Sequence, residues 1–159
     1  SRTALQNLSF ELLSGELMPG DQDVQRLREQ TVTLAELLHQ HTDGWQPPRV
    51  GGRAIAQTHC HQHAVLGDTA DRRLREAAGL TGDLSGGCCG LAGNFGFEKG
   101  HYAVSMACAE RVLLPAVRAA DADVAVLADG FSCRTQLRQT GTREPVHLAQ
   151  LAARALGLR

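Results

Sequence analysis

Two short apolar runs, each too short for a helix of its own, empty directly into cysteine-bearing segments. Ala54-Ile55-Ala56-Gln57-Thr58 leads into His59-Cys60-His61, and Val124-Ala125-Val126-Leu127-Ala128 turns through Asp129-Gly130 into Ser132-Cys133-Arg134. Their β-branched and small apolar content, bounded by turn residues, reads as buried strand. A third short extended piece, around 83–85, leads into Gly86-Gly87-Cys88-Cys89-Gly90-Leu91-Ala92-Gly93-Asn94-Phe95-Gly96-Phe97-Glu98. Helical patterning separates the three. Strands alternating with helices imply an α/β domain, a parallel sheet flanked by helices whose strand C-termini gather their loops at one edge. The cysteine segments all follow expected strands, so they can converge there.

The rest of the chain is helical in pattern. Residues 1–48 form a helical N-terminal extension. Leu5, Leu8 and Leu12 line one face of a first helix, which Pro19-Gly20 ends, and Asp21 or Asp23 caps a second. In that second helix Val24, Leu27, Thr31, Leu34, Leu38 and His41 alternate steps of three and four and so form a single stripe. Gly44-Trp45-Gln46-Pro47-Pro48 then breaks the period and opens the cysteine-bearing domain, residues 49–159. Within it a helix is expected from Asp68 to Ala78, with Gly79 past its end. Another carries Tyr102, Met106, Ala109, Leu113 and Val117, kinked or divided by Pro115, and a last one runs from near Pro145 to Gly157. Tyr102 and Met106 read as core residues, and Cys108, mid-helix, as core sooner than ligand. His101 and His147 fall at helix starts.

Composition narrows the function. A net charge of -1 and a pI near 6.6 supply no basic field for nucleic acid. No apolar stretch approaches the roughly 20 residues of a membrane span, and no secretory leader pattern opens the chain. The expected location is cytoplasmic, peripheral to the inner membrane only through a parent complex. Five cysteines make an odd set, which suits metal ligation or redox work better than a disulfide framework. The chain opens at Ser1, and the expectation is a fragment of something longer.

Cys88 and Cys89 carry most of the chemistry. Adjacent side chains diverge, and a thiol pair on a turn with five glycines reads as two ligands offered to one centre. Cys60 precedes Cys88 by 27 intervening residues, and 43 separate Cys89 from Cys133. No C-x2-C knuckle of the kind structural zinc sites use is present, so the site depends on a preformed fold. Gly87, Gly90 and Gly93 allow close approach, so that amide N–H groups can point at anionic sulfur and tune it. His59 and His61, with His63, stand beside the thiols as groups that adjust a cluster sooner than ligate it. Arg134 can balance anionic charge or lie exposed. The glycines fit neither phosphate-binding pattern.

These segments resemble the cysteine-rich CCG domain. The likeness lies in His59-Cys60-His61, in Gly87-Cys88-Cys89-Gly90 with Ala92-Gly93 and Phe95-Gly96, and in Asp129-Gly130-Phe131-Ser132-Cys133-Arg134. With His101 to Met106 and His147-Leu148-Ala149, it is similar to the C-terminal iron–sulfur part of FAD-linked oxidases and dehydrogenases. That group includes D-lactate dehydrogenases and the iron–sulfur subunit of glycolate oxidase, and its CCG element is similar to those of heterodisulfide reductases. The resemblance spans about Arg26 to Leu156. It implies Cys60, Cys88, Cys89 and Cys133 as ligands of an iron–sulfur cluster, with FAD held elsewhere in the parent protein. It also implies a flavin domain and further iron–sulfur elements as partners, and a quinone or other electron acceptor. The family pattern ends in C-x2-C, whereas Gln136 stands here three residues after Cys133. The implied role is electron transfer for a 2-hydroxyacid dehydrogenase, with the isolated chain not active alone. The alternative is a zinc-holding structural or docking domain. A disulfide between Cys88 and Cys89 would be strained.

Overall fold

β1 (Ala54–Gln57) and β2 (Ala125–Ala128) lie side by side and parallel, with Ala54 opposite Ala125 and Gln57 opposite Ala128. In this computed structural model, which describes residue 18 and residues 20–82 and 86–158, single parallel bridges flank the pair. Arg53 bridges Thr81 on one side and Leu127 bridges Val146 on the other. The amide of Ala54 donates to the Thr81 carbonyl at 2.7 Å, and that of Val146 to the Val126 carbonyl at 2.9 Å. The spatial order is therefore Thr81, β1, β2, Val146. From β1 the chain moves to one side, then crosses back beyond it, so its direction reverses between β1 and β2. Outside the carboxyl ends of two such strands lies the crevice in which α/β sheets place their ligands.

Strand alternation sends side chains to two cores. Ala54, Ala56 and Leu127 pack with Leu80, Val146 and Leu148, while Val126 and Ala128, with Ile55 against them, pack with Leu113, Leu114, Val117 and Leu137. The first core is covered by α4 (Thr69–Ala77) through Leu74 and by α8 (Leu148–Ala155) through Leu151. The second is covered by α5 (Tyr102–Ala109), α6 (Leu113–Ala119) and α7 (Phe131–Gln139). Helices on both faces of a parallel sheet make this an α/β fold. Right-handed crossovers account for the division, because the two directions of travel from β1 require opposite faces.

The N-terminal stripe divides. Instead of one helix there are two, α1 (Gln22–Gln30) and α2 (Leu34–His41). The break is local chemistry: Thr33 Oγ1 accepts the Glu36 amide at 3.2 Å and the Glu36 carboxylate accepts the Thr33 amide at 2.7 Å. This capping box starts a new helix after the β-branched run Thr31-Val32-Thr33, which a helix interior disfavours. Asp21 caps α1 as expected. The expected first helix, with Leu5, Leu8 and Leu12, and the extended piece at 83–85 lie outside the described residues.

Elsewhere the helix ends moved. α4 keeps its expected place, with Asp68 at its N-cap position and Gly79 past its end. The helical stretch around Met106 is divided, as Pro115 required, and the break falls at 110–112 with Pro115 third in α6, where its missing N–H costs no helical bond. Two starts differ from expectation. Cys60 opens a short helix, α3 (Cys60–Val65), instead of lying in a loop, and Cys133 sits in the first turn of α7 instead of a turn. Pro145 does not begin the last helix, because Val146 is held extended by Leu127; His147 caps α8. Tyr102 is no core residue: it is 68% exposed, since α5 turns Ser105 and Ala109 inward. Met106 does pack against the core. Among the described residues no helix is long and apolar enough to cross a membrane.

Candidate metal centre at the sheet edge

The four cysteines singled out by sequence meet at this crevice. Cys60 follows β1 as the first residue of α3, and Cys133 follows β2 in the first turn of α7. Cys88 and Cys89 arrive on the glycine loop that follows Thr81. Cys88 feels the charge of Cys89 and Cys60, and Cys133 that of Cys89, Cys60 and Cys88. The adjacent thiols do diverge. One pair lies at the surface, where Cys60 is exposed and Cys88 half-buried, and the other lies in the core, where Cys89 is 3% and Cys133 1% exposed.

Side chains from the strand ends tie the three segments together. Gln57, buried at the end of β1, donates through Nε2 to the Gly87 carbonyl at 3.0 Å, and Ser132 Oγ in α7 accepts the Gly93 amide at 3.1 Å. The loop also lies on α5 at Gly90. A Cβ there would stand 1.9 Å from the Ser105 carbonyl oxygen, and the residue has φ +83°, so only glycine fits. Gly130 plays the same part for His59, whose Cδ2 would lie 2.6 Å from a Cβ at that position. Sequence reasoning missed Gln57 and Ser132 as site residues. Their signal was a polar side chain at an inward-facing strand or helix position.

Backbone amides shape the electrostatics of the sulfurs. The Gly90 amide donates to Cys88 Sγ at 3.2 Å, while burial pushes the Cys88 thiol up. Cys89 is held down at about 6, first by the hydrogen bond from Cys133 and then, against its burial, by the amides of Leu91, Ala92 and its own residue. Cys133 is pushed well up, because it keeps the proton of that bond and is itself desolvated. The glycine loop thus does supply N–H groups to sulfur, at Gly90 as expected and otherwise at residues not expected. Gly90 serves Cys88, Leu91 and Ala92 serve Cys89, and Gly87 and Gly93 instead fasten the loop to Gln57 and Ser132. Successive amides turned toward one anion are the general form of a backbone anion site.

The histidines stand beside this cluster in different roles. His59 caps α3, its Nδ1 accepting the Gln62 amide at 3.5 Å, and burial lowers its basicity, with His61 adding to the effect. His61 Nε2 is buried with no hydrogen-bond partner. His63 is exposed and lies 3.8 Å from Asp68. His101 stacks on Phe95 with ring centroids 4.3 Å apart, and His147 caps α8. Cys108 is half-buried on α5. Arg134 is half-buried, with Nε buried and unpartnered.

Gln136, where the resemblance leads one to look for another cysteine, is 2% exposed, and its Nε2 donates to Ser105 Oγ at 3.2 Å. It braces α7 against α5 under the glycine loop. At the carboxyl end of β1, beside His59, a cavity of about 10 Å³, bordered by Gln57, Thr58, Asp71, Arg75 and Asp129, has room for about one water molecule. Burial, with Asp129 adding to it, pushes the Asp71 carboxyl up to about 6, and Gln62 donates to it at 2.9 Å.

The donor set fits a thiolate-bound group: four sulfurs, one stabilised as a thiolate, with N–H donors around them. It does not focus on a point. Among the described residues no three His, Cys, Asp or Glu side chains are grouped to hold a single metal ion. Comparison of the chain with protein-family models, with curated proteins and with solved structures finds no match.

Proposed function

We propose that residues 49–159 are the iron–sulfur electron-transfer module of an FAD-dependent 2-hydroxyacid dehydrogenase of the D-lactate or glycolate type. In this reading the module passes electrons from the flavin of the parent protein to a quinone or other acceptor. The observation that supports it is the meeting of Cys60, Cys88, Cys89 and Cys133, from three chain segments, at the sheet edge. A bound cluster would supply one-electron redox chemistry. The chain's own work is to hold that group and tune it. Cys60, Cys88, Cys89 and Cys133 are its ligands, and the amides of Gly90, Leu91 and Ala92 stabilise negative charge on sulfur. The half-buried His59 and His61 limit water at the rim. One zinc ion needs its four donors at about 2.0–2.3 Å from one centre, and among the described residues no three candidate ligands are grouped to hold a single ion.

Iron, zinc and acid-labile sulfide per chain, measured on anaerobically prepared protein, test the proposal. Iron with sulfide, lost in both Cys88→Ser and Cys133→Ser and kept in Cys108→Ser, is the expected result. Stoichiometric zinc without sulfide, unchanged in Cys108→Ser, overturns it in favour of a structural or docking domain.

A further inference from the structure

Gln57, at the carboxyl end of β1, is 4% exposed and uses both hydrogens of its amide: Nε2 donates to the Thr58 carbonyl and to the Gly87 carbonyl, each at 3.0 Å. With Nε2 so engaged, Oε1 lies on the other side of the amide, buried and without a hydrogen-bond partner among the described residues. Thr58 Oγ1 and Arg75 Nη2 share that condition. The three atoms come from the end of β1 and from α4, yet all three side chains border the same cavity of about 10 Å³. A buried donor or acceptor without a partner is costly and rare in a folded protein, so three around one small cavity mark a bound group.

We infer that one water molecule is an integral part of the fold at this place, accepting from Arg75 Nη2 and donating to Gln57 Oε1 and Thr58 Oγ1. The three atoms set the chemistry of the occupant. A guanidinium nitrogen only donates, an amide oxygen only accepts, and a hydroxyl does either. An anion could take the Arg75 hydrogen but could not serve Gln57 Oε1, and the carboxyl groups of Asp71 and Asp129 stand in the same wall. A cation could serve Gln57 Oε1 and Thr58 Oγ1 but not the positively charged Arg75. Water offers two hydrogens and two lone pairs, the volume admits about one molecule, and three partners is the usual number for a buried water.

The consequence lies in the glycine loop. Gln57 holds the Gly87 carbonyl, next to Cys88, only in the orientation in which Oε1 meets the water. Turned over, the amide would set its oxygen against two carbonyls. The water therefore fixes that orientation and ties α4, through Arg75, to the loop that carries Cys88 and Cys89. The inference concerns three polar atoms and does not depend on what the thiols hold.

Thr58→Val, which replaces the hydroxyl by a methyl of like size, separates a bridged atom from an orphaned one by the sign of its effect. With the water bound, the variant loses a hydrogen bond, and its urea midpoint should fall at unchanged m. An orphaned hydroxyl gains by becoming a methyl, so a midpoint that rises or stays in place overturns the inference. In an Arg75→Met background the fall should shrink, because the water has then lost its donor. A fall of the same size there means that Oγ1 has a different partner, and overturns the bridge. A crystal structure of the parent chain reads the site without any substitution. One water within about 2.7–3.2 Å of all three atoms is the expected result; a direct bond between Arg75 and Gln57, an ion, or another side chain in that place overturns it.

Discussion

Gly90→Ala and Gly93→Ala test whether the glycine loop is fastened as the structure has it. Both glycines have positive φ, +83° and +68°, so each substitution carries the left-handed penalty of about 1–2 kcal/mol for an L-residue. They differ in what the new methyl meets. At Gly93 it enters open space, whereas at Gly90 it stands 1.9 Å from the Ser105 carbonyl oxygen and 2.8 Å from its carbon. These are backbone atoms in α5 and cannot rotate away, so the loop must lift. Overpacking of this kind costs a further ~1–3 kcal/mol. Gly93→Ala should therefore lose about 1–2 kcal/mol and Gly90→Ala about 2–5 kcal/mol. Lifting the loop also separates the Gly90 amide from Cys88 Sγ, now 3.2 Å away. Urea unfolding followed by circular dichroism reads both losses, with equal m values as the check that the unfolded state is unchanged. If the two variants lose the same stability to within about 0.5 kcal/mol, the loop does not rest on α5, and the placement of Cys88 and Cys89 falls with it.

Two further outcomes follow from buried polar groups. Asp71, raised from 3.8 to about 6 by burial and then by Asp129, binds more protons in the folded state than in the unfolded state between those values. Stability should accordingly fall as pH rises from about 4 to about 6. The full shift would be worth about 3 kcal/mol, which partial exposure reduces to about 1 kcal/mol. Asp71→Asn should flatten that slope and gain about 1 kcal/mol at pH 7, read by urea unfolding across the range; an unchanged slope refutes the assignment. Gln136→Leu leaves Ser105 Oγ without its donor and should cost about 1–2 kcal/mol, read by the same urea unfolding; an unchanged stability refutes the brace.

The elements whose cause is local were legible in the sequence. The strands at 54–58 and 124–128 declare themselves by a short apolar run, and α4 by its capped and glycine-ended pattern. Three capping groups were misjudged. Thr33 and Glu36 divide what hydrophobic spacing alone joins, because the stripe runs on in phase across the break. His59 and Gly130 start helices at residues that sequence treats as turn. Tyr102 was misplaced for another reason. α5 is apolar on several sides, so spacing could not tell which face the sheet would take, and the small residues Ser105 and Ala109 took it because the glycine loop comes so near.

That last point also explains the site. Convergence of the thiols could be foreseen from one rule, that loops after parallel strands share an edge. Which thiols lie in the core and which at the surface could not, because it depends on how Cys88 and Cys89 diverge across a loop pinned by Gln57, Ser132 and Ser105, three partners 30 to 39 residues away or lying on a helix. The same pinning gives Gln136 its place. A cysteine there would be too short to reach Ser105, so the brace under the loop would be lost as a sulfur was gained. With Gln136 the chain keeps four thiols at the edge and spends the fifth position on holding two of them still.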